Sequence, residues 1–117
     1  MKLTLLGTGC PSVDFKRCGS SNLISTKSTK ILVDCGSGVT QRLNQSKNSS
    51  ADIDALFLTH LHTDHVIDLY QLIISSWHSD RTSQWKIYGP KGTKQFVDKI
   101  FLAWKNERKL RISYEKR

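Results

Sequence analysis

The chain has 117 residues, 38% of them hydrophobic, and this length fits a single domain of the common size, about 100–150 residues. The composition excludes collagen-like, low-complexity and strongly disordered proteins. No apolar run approaches the roughly 20 residues of a membrane-spanning helix, and the N-terminal apolar stretch is too short for a secretory signal. The three cysteines, Cys10, Cys18 and Cys35, are an odd number without disulfide spacing. We therefore expect a cytoplasmic protein with reduced thiols and no membrane contact.

The net charge of +8 lies in the last third of the chain. Residues 1–80 carry seven Lys/Arg and seven Asp, whereas residues 81–117 carry eleven Lys/Arg and three Asp/Glu. A concentrated positive charge attracts phosphate groups and speeds association with anionic partners. A basic helix surface that only meets solvent has the same composition. The positive charge therefore indicates a phosphate-binding function only if a nearby site handles phosphate chemistry.

Hydrophobic periodicity predicts strands that alternate with helices. Alternating or continuous apolar runs predict strands at 2–6, 21–25, 30–34, 53–59 and 85–88, with a hairpin turn at 26–29. Helical spacing predicts helices at 39–45, 66–77 and 93–107, the second largely buried and the third capped by Thr93. The stretch 109–117 alternates weakly and is predicted to begin another strand. Cys10 is expected to be packed in its loop. This order indicates an α/β layered domain.

The chemistry of the chain is concentrated in His60-Leu61-His62-Thr63-Asp64-His65, directly after a predicted buried strand. Imidazole nitrogens with a carboxylate suit Zn²⁺ and also accept Fe or Mn. In an extended segment His60 and His62 point the same way, while Asp64 and His65 can face a second point nearby. Two metals about 3.5–4 Å apart that share a water form a hydrolytic arrangement.

A packed structural role is the alternative for any single histidine. A lone histidine on an apolar face is ordinarily a core residue, but three of the four histidines of this chain fall within six residues. Chance clustering of that kind is improbable, and the pattern favours a metal site. The fourth, His78, stands alone and is predicted to be a polar surface residue.

The hexad resembles the H-x-H-x-D-H signature of the metallo-β-lactamase superfamily. Three further segments resemble ribonuclease Z, the tRNA 3′-end processing endonucleases, over residues 1 to about 101. These are Leu5-Leu6-Gly7-Thr8-Gly9 with Pro11, Arg17 and Ser20-Ser21-Asn22; Ile31-Leu32-Val33-Asp34-Cys35-Gly36-Ser37-Gly38 with Gln41; and Ile87-Tyr88-Gly89-Pro90-Lys91-Gly92 with Phe96. The hexad is highly specific for the superfamily, and the other segments are moderately specific for the family.

The resemblance implies a role for each matched residue. His60 and His62 would bind the first of two Zn²⁺ ions, and Asp64 and His65 the second. Asp64 would also accept a proton as water attacks. Asp34, which ends a predicted strand, would hold a ligand histidine or the motif loop; the alternative is a helix N-cap at the following glycine turn. The sequence indicates no substrate-binding residue.

The superfamily fold is an αββα sandwich of two βα halves, and this chain resembles only the N-terminal half. In the family the remaining metal ligands, two histidines and a bridging Asp, come later in the chain. We therefore expect residues 1–117 to be the N-terminal portion of a single metallo-β-lactamase-like domain whose C-terminal half is absent. Position 37 is Ser where ribonuclease Z has Glu, and position 63 is Thr where Gly is usual. Thr is common there among relatives that act on other esters.

Three functions follow from these observations. The first is a metal-dependent phosphodiesterase that cleaves the 3′ trailer of precursor tRNA, which suits the basic last third. The second is a hydrolase of small esters, such as aryl sulfates or phosphodiesters. The third is a non-catalytic piece that binds nucleic acid through its basic helix. The family resemblance also implies a homodimer, although no residue marks its interface.

Overall fold

The computed structural model describes residues 1–115 of the chain. Its strands are β1 (Lys2–Gly7), β2 (Ser21–Ser25), β3 (Lys30–Val33), β4 (Ala55–Phe57) and β5 (Ile87–Tyr88). Its helices are α1 (Val39–Gln45), α2 (Thr63–Val66), α3 (Leu69–His78), α4 (Thr93–Ala103) and α5 (Lys105–Glu115), with a 3₁₀ turn at Ser50–Asp52. The predicted α/β alternation is confirmed over the described residues.

The strands form one sheet in the order β1-β2-β3-β4-β5. The first three strands are antiparallel neighbours, and the predicted turn at 26–29 closes the β2–β3 hairpin. The last three strands run parallel, so their carboxyl ends lie at the same edge of the sheet. This edge is where α/β proteins commonly place their ligand sites.

The two faces of the sheet differ sharply in burial. Leu23, Leu32 and Leu56 pair across neighbouring strands in one row, and all three are fully buried under helices α1 and α3. The adjacent row, which faces the other way, includes Val33 and ends in Phe57 and Tyr88. The rings of Phe57 and Tyr88 stack with centroids 4.9 Å apart, yet these side chains are 42% and 50% exposed. The fold therefore has one packed layer of helices and one open apolar sheet face.

The predicted helix at 66–77 is interrupted, which corrects that expectation. Helix α2 ends at Val66 and α3 begins at Leu69. Between them Asp68 donates its N–H to the carbonyl of Cys35, while its carboxylate accepts hydrogen bonds from the start of α1. These long-range contacts hold the junction, and hydrophobic periodicity carries no sign of them.

The predicted strand at 109–117 is wrong within the described residues, because α5 continues as a helix to Glu115. Glu107, Arg111 and Glu115 lie four residues apart and form ion pairs along the helix. Such pairs support a helix, whereas an exposed strand here would need a sheet edge. Residues 116–117 of the prediction lie outside the described residues.

Two smaller expectations near the loops are also corrected. Thr93 does not cap α4: Gly92 holds the N-cap position, and the Thr93 hydroxyl donates to the carbonyl of Pro90. Cys10 is exposed rather than packed in its loop. Among residues 1–115, no helix combines the length and apolar character needed to cross a membrane.

Candidate metal centre

The residues singled out by the sequence meet at the carboxyl edge of the parallel strands. Asp34 directly follows β3, and Thr59 and His60 come just after β4. The Asp34 N–H donates to the carbonyl of Phe57 at 2.8 Å, which locks the two strand tips together. The hexad then runs from the tip of β4 into the first turn of α2, where Asp64 and His65 lie.

The Asp34 carboxylate is the centre of this edge. It is buried, with 4% exposure, and its backbone has a φ of 62°, a left-handed conformation that Asp tolerates better than most residues. One oxygen accepts the Thr59 N–H at 2.8 Å; the other accepts the Thr59 hydroxyl at 2.7 Å and meets His65 Nδ1 at 2.8 Å. Asp34 therefore binds both the motif loop and a motif histidine.

The alternative role for Asp34, as a helix N-cap, is wrong. Helix α1 begins after Gly38, at a φ of 79°, and no side chain caps it in that position. The Asp68 carboxylate instead accepts the N–H of Thr40 at 2.8 Å and its hydroxyl at 2.6 Å. Sequence reasoning gave Asp68 no role; its spacing, three residues beyond the last histidine of the hexad, was the only available signal.

The histidines of the hexad lie close together. The ring of His60 is 4.6 Å from that of His62 and 4.2 Å from that of His65, measured between centroids. His65 Nε2 lies 3.5 Å from a carboxylate oxygen of Asp64. The structure thus brings His60, His62, Asp64 and His65 to one strand tip. We name the group Asp34, Thr59, His60 and His65 the strand-tip network.

The donor set fits divalent metals only in part. The side chains supply imidazole nitrogen and carboxylate oxygen, the donors that Zn²⁺, Fe and Mn accept. Across residues 1–115, however, no three His, Cys, Asp or Glu side chains are arranged as a single metal-binding group. A catalytic zinc ordinarily has three protein ligands. The resemblance implies two ligands for each of two metals, and a pair of ligands is not a group of three.

The backbone around the network is close-packed. The Cys35 N–H donates to the carbonyl of His65 at 2.7 Å. A Cβ placed on Gly36 would stand 2.5 Å from the carbonyl oxygen of Asp64, so only glycine permits this approach. The Cys35 thiol is fully buried, and burial, followed by the charges of Asp68 and Asp34, raises its pKa well above its usual value. Cys35 is therefore a packed neutral thiol.

A cavity of about 450 Å³ opens beside Asp64. The loop that carries Cys10 and Cys18 forms one wall, and the start of α1 forms the other. Its polar lining includes Arg17, Ser37 and Gln41. All three stood in the segments that carry the family resemblance, although Ser37 departs there from the ribonuclease Z pattern. The Asp64 side chain therefore lines a cavity that opens between the loop and α1.

Part of the C-terminal positive charge is used inside the fold. Arg81 donates to the carbonyls of Ala51 and Ile53 and lies over the ring of Trp85 at 4.1 Å. Arg111 pairs with Glu107 and also contacts His78, so His78 joins α3 to α5. His78 is exposed, as predicted, and meets neither the hexad nor Asp34 in any of these contacts. Within residues 81–115 the positive charge at the surface is therefore mainly that of the exposed lysines.

The comparisons with known proteins agree with this geometry. A family model described as anti-Pycsar protein Apyc1 matches residues 1–109. A protein named ribonuclease Z from Mycobacterium sp. (strain KMS) is 39% identical over 116 residues, covering 97% of this chain and 41% of the relative. The chain thus spans about two fifths of the length of the curated relatives it matches.

Two solved structures share the fold. Human tRNase Z, short form, superposes with a TM-score of 0.78 at 31% identity, covering 88% of this chain and 39% of that one. The metallo-beta-lactamase fold protein YhfI from Bacillus subtilis gives 0.71 at 27% identity, with 82% and 39% covered. The predicted metallo-β-lactamase-like fold and the resemblance to ribonuclease Z are both confirmed.

Proposed function

We propose that this chain, which belongs to the family described as anti-Pycsar protein Apyc1, carries part of the site of a metal-dependent phosphodiesterase. The observation that carries the proposal is the strand-tip network, in which one buried carboxylate orients the hexad at the carboxyl edge of the sheet. Relatives named ribonuclease Z, together with the tRNase Z fold, support a hydrolase.

Each site residue has a proposed task. His60 and His62 would hold one divalent ion, and Asp64 and His65 a second; Zn²⁺ is the ion we propose, with Fe or Mn as substitutes. When bound, such ions activate water at neutral pH and polarise a phosphoryl oxygen. The Asp64 carboxylate, in the first turn of α2 beside the cavity, accepts the proton of the attacking water. Asp34 keeps His65 and the loop in place.

Precursor tRNA is the substrate that the ribonuclease Z relatives support, with cleavage at its 3′ trailer. The lysines in the last third of the chain would contribute to phosphate contacts, and the salt dependence of binding would report their number. Cleavage of tRNA would place the protein in the cytoplasm, in keeping with its three free cysteines. A homodimer remains part of the proposal through the family resemblance.

A small phosphodiester is the second candidate substrate. The matching family model is described as an anti-Pycsar protein and not as a tRNA-processing enzyme. Ser37 and Thr63 also depart from the ribonuclease Z pattern, and both line the cavity beside Asp64. A cavity of about 450 Å³ has the size of ordinary small-molecule sites.

We also propose that residues 1–117 form the N-terminal portion of one metallo-β-lactamase-like domain. The chain aligns with about two fifths of its relatives, and each proposed metal has only two ligands here. The exposed Phe57 and Tyr88 on the open sheet face would pack against the second sheet of an αββα sandwich. The missing ligands would come from that second half.

Parallel assays of cleavage separate these functions. The chain, and any longer product of its gene, is loaded with Zn²⁺ or Mn²⁺ and tested on precursor tRNA and on a panel of small phosphodiesters and aryl sulfates. We expect cleavage that His62→Ala abolishes and that His78→Ala, the matched control away from the hexad, leaves intact. Activity on small esters alone would select the second candidate. RNA binding with steep salt dependence but no hydrolysis would refute the enzyme and support a nucleic-acid-binding role.

A further inference from the structure

The Thr59 hydroxyl lies between a carboxylate and a histidine. Its oxygen is 2.7 Å from Asp34 Oδ2 and 2.9 Å from His60 Nδ1. The Thr59 N–H is also fixed, since it donates to Asp34 Oδ1 at 2.8 Å. Both polar groups of Thr59 are thus turned toward the same carboxylate, although the residue itself is exposed. This double contact sets the direction of the hydroxyl.

Counting protons assigns the role of each atom. An ionised carboxylate only accepts hydrogen bonds, and a hydroxyl has a single proton to donate. The Thr59 proton therefore goes to Asp34, and the Thr59 oxygen can only accept from His60. His60 must then carry its proton on Nδ1, which leaves the lone pair of Nε2 free.

We infer that Thr59 is a positioning residue that transmits to His60 the orientation imposed by Asp34. The inference rests on the proposed function, because a free Nε2 serves a metal ligand. Asp34 meets His65 Nδ1 directly at 2.8 Å, so His65 presents its Nε2 in the same way. One carboxylate thus prepares one histidine for each of the two proposed metals, directly for His65 and through Thr59 for His60.

The tautomer of His60 tests the inference without any metal. Long-range ¹H–¹⁵N NMR of the metal-free chain at about pH 8, above the ordinary histidine pKa, reads which ring nitrogen carries the proton. We expect Nδ1–H for His60 in the native chain and in Thr59→Ser, which keeps the hydroxyl. Thr59→Val, which has the same shape without it, should move the population toward Nε2–H.

Thr40→Val is the matched control. The Thr40 hydroxyl also donates to an aspartate, at 2.6 Å from Asp68, but it does not contact a hexad histidine. This variant should leave the His60 tautomer unchanged. An Nε2–H tautomer in the native chain, or no change in Thr59→Val, overturns the inference. A change in Thr40→Val equal to that in Thr59→Val also overturns it, because a general loosening would then explain both.

Metal titration provides a second measurement. We expect Thr59→Val to weaken Zn²⁺ binding about 10–100-fold, the usual cost of losing a group that orients a ligand, and Thr59→Ser to bind normally. Unchanged affinity in Thr59→Val would overturn the link between tautomer and metal. If the tautomer result fails while the native protein hydrolyses a phosphodiester, the inference is wrong and the proposed function stands. If it holds and hydrolysis is absent, the proposed function fails instead.

Discussion

The strand-tip network and the C-terminal helices α4 and α5 are held in place by different kinds of contact. Asp34 reaches Thr59 and His65, which are 25 and 31 residues away in the sequence. Helix α4 packs on the core through the partly buried Phe96, Val97 and Phe101. The ion pairs of α4 and α5, such as Lys94 with Asp98, join residues only four apart, and no residue of α5 is buried. The sheet therefore fixes the site, and the helices add charge to a geometry that is already set.

Asp34→Asn should have the largest effect on stability, because it removes the long-range contacts of the strand-tip network. Asparagine matches aspartate in size and tolerates the left-handed backbone at this position. Its amide cannot accept the three hydrogen bonds that the carboxylate accepts. We expect a loss of about 3 kcal/mol in the free energy of unfolding, measured by urea titration.

Asp14→Asn is the control for this change. Asp14 is exposed, and its carboxylate accepts the N–H of nearby Lys16 at 2.8 Å. We expect its urea midpoint to stay within error of the native value. Equal midpoints for the Asp34 and Asp14 variants would contradict the contrast between buried network and exposed loop.

Asp68→Ala should have the next largest effect. The Asp68 carboxylate accepts the N–H and the hydroxyl of Thr40 and so joins the end of the hexad helix to the start of α1. Its loss leaves these donors without their charged partner, and we expect a cost of about 2 kcal/mol in unfolding free energy. The exposed Asp52, which lies 3.8 Å from the Lys30 ammonium, supplies the control variant Asp52→Ala. A larger loss from the control would reverse the expected order.

These long-range contacts also mark the limit of the sequence interpretation. The periodicity of residues 2–6, 21–25 and 30–34 predicted the first three strands to within a residue, because alternation follows directly from strand geometry. The hexad identified the candidate ligands from side-chain chemistry alone. The partners of Asp68 and the bridging place of Thr59 could not be predicted, since both depend on which strand tips become neighbours.

The C-terminal helix illustrates the opposite failure. Residues 109–117 alternate weakly in polarity, which favoured a strand, yet the spacing of Glu107, Arg111 and Glu115 stabilises a helix. Both patterns are short and local, and neither has a buried face to decide between them. Where burial is slight, charge spacing is the better guide than a weak alternation.

The buried Cys35 thiol, which lies beside the strand-tip network, predicts that the unfolding free energy depends on pH. Burial raises its pKa in the folded state, so the unfolded chain loses the thiol proton first as the pH rises. The contribution of the protonated Cys35 thiol to the unfolding free energy is fully present below the ordinary thiol pKa. It is lost as the pH rises toward the raised pKa of the folded state. We expect the unfolding free energy of the native chain to fall more steeply at alkaline pH than that of Cys35→Ala.

Urea midpoints from neutral to alkaline pH measure this effect, which vanishes at neutral pH, where the effect of Asp68→Ala is already present. Cys10→Ala is the matched variant because Cys10 is exposed. It should retain the native slope. Identical slopes for the native chain and Cys35→Ala would show that the folded thiol titrates normally, against the close packing of the strand tips.

Lys94→Ala should have the smallest effect on stability, because it removes an exposed ion pair of α4 rather than a contact of the strand-tip network. The Lys94 ammonium lies 2.7 Å from the Asp98 carboxylate, but the two side chains are 90% and 62% exposed. Water and salt screen such a pair, and alanine favours the helix at least as well as lysine. We expect no measurable shift in the urea midpoint at low or high salt. A shift comparable to that of Asp68→Ala would mean that α4 is held by its charges as firmly as the site is held by its buried carboxylates, and the distinction between the two regions would fail.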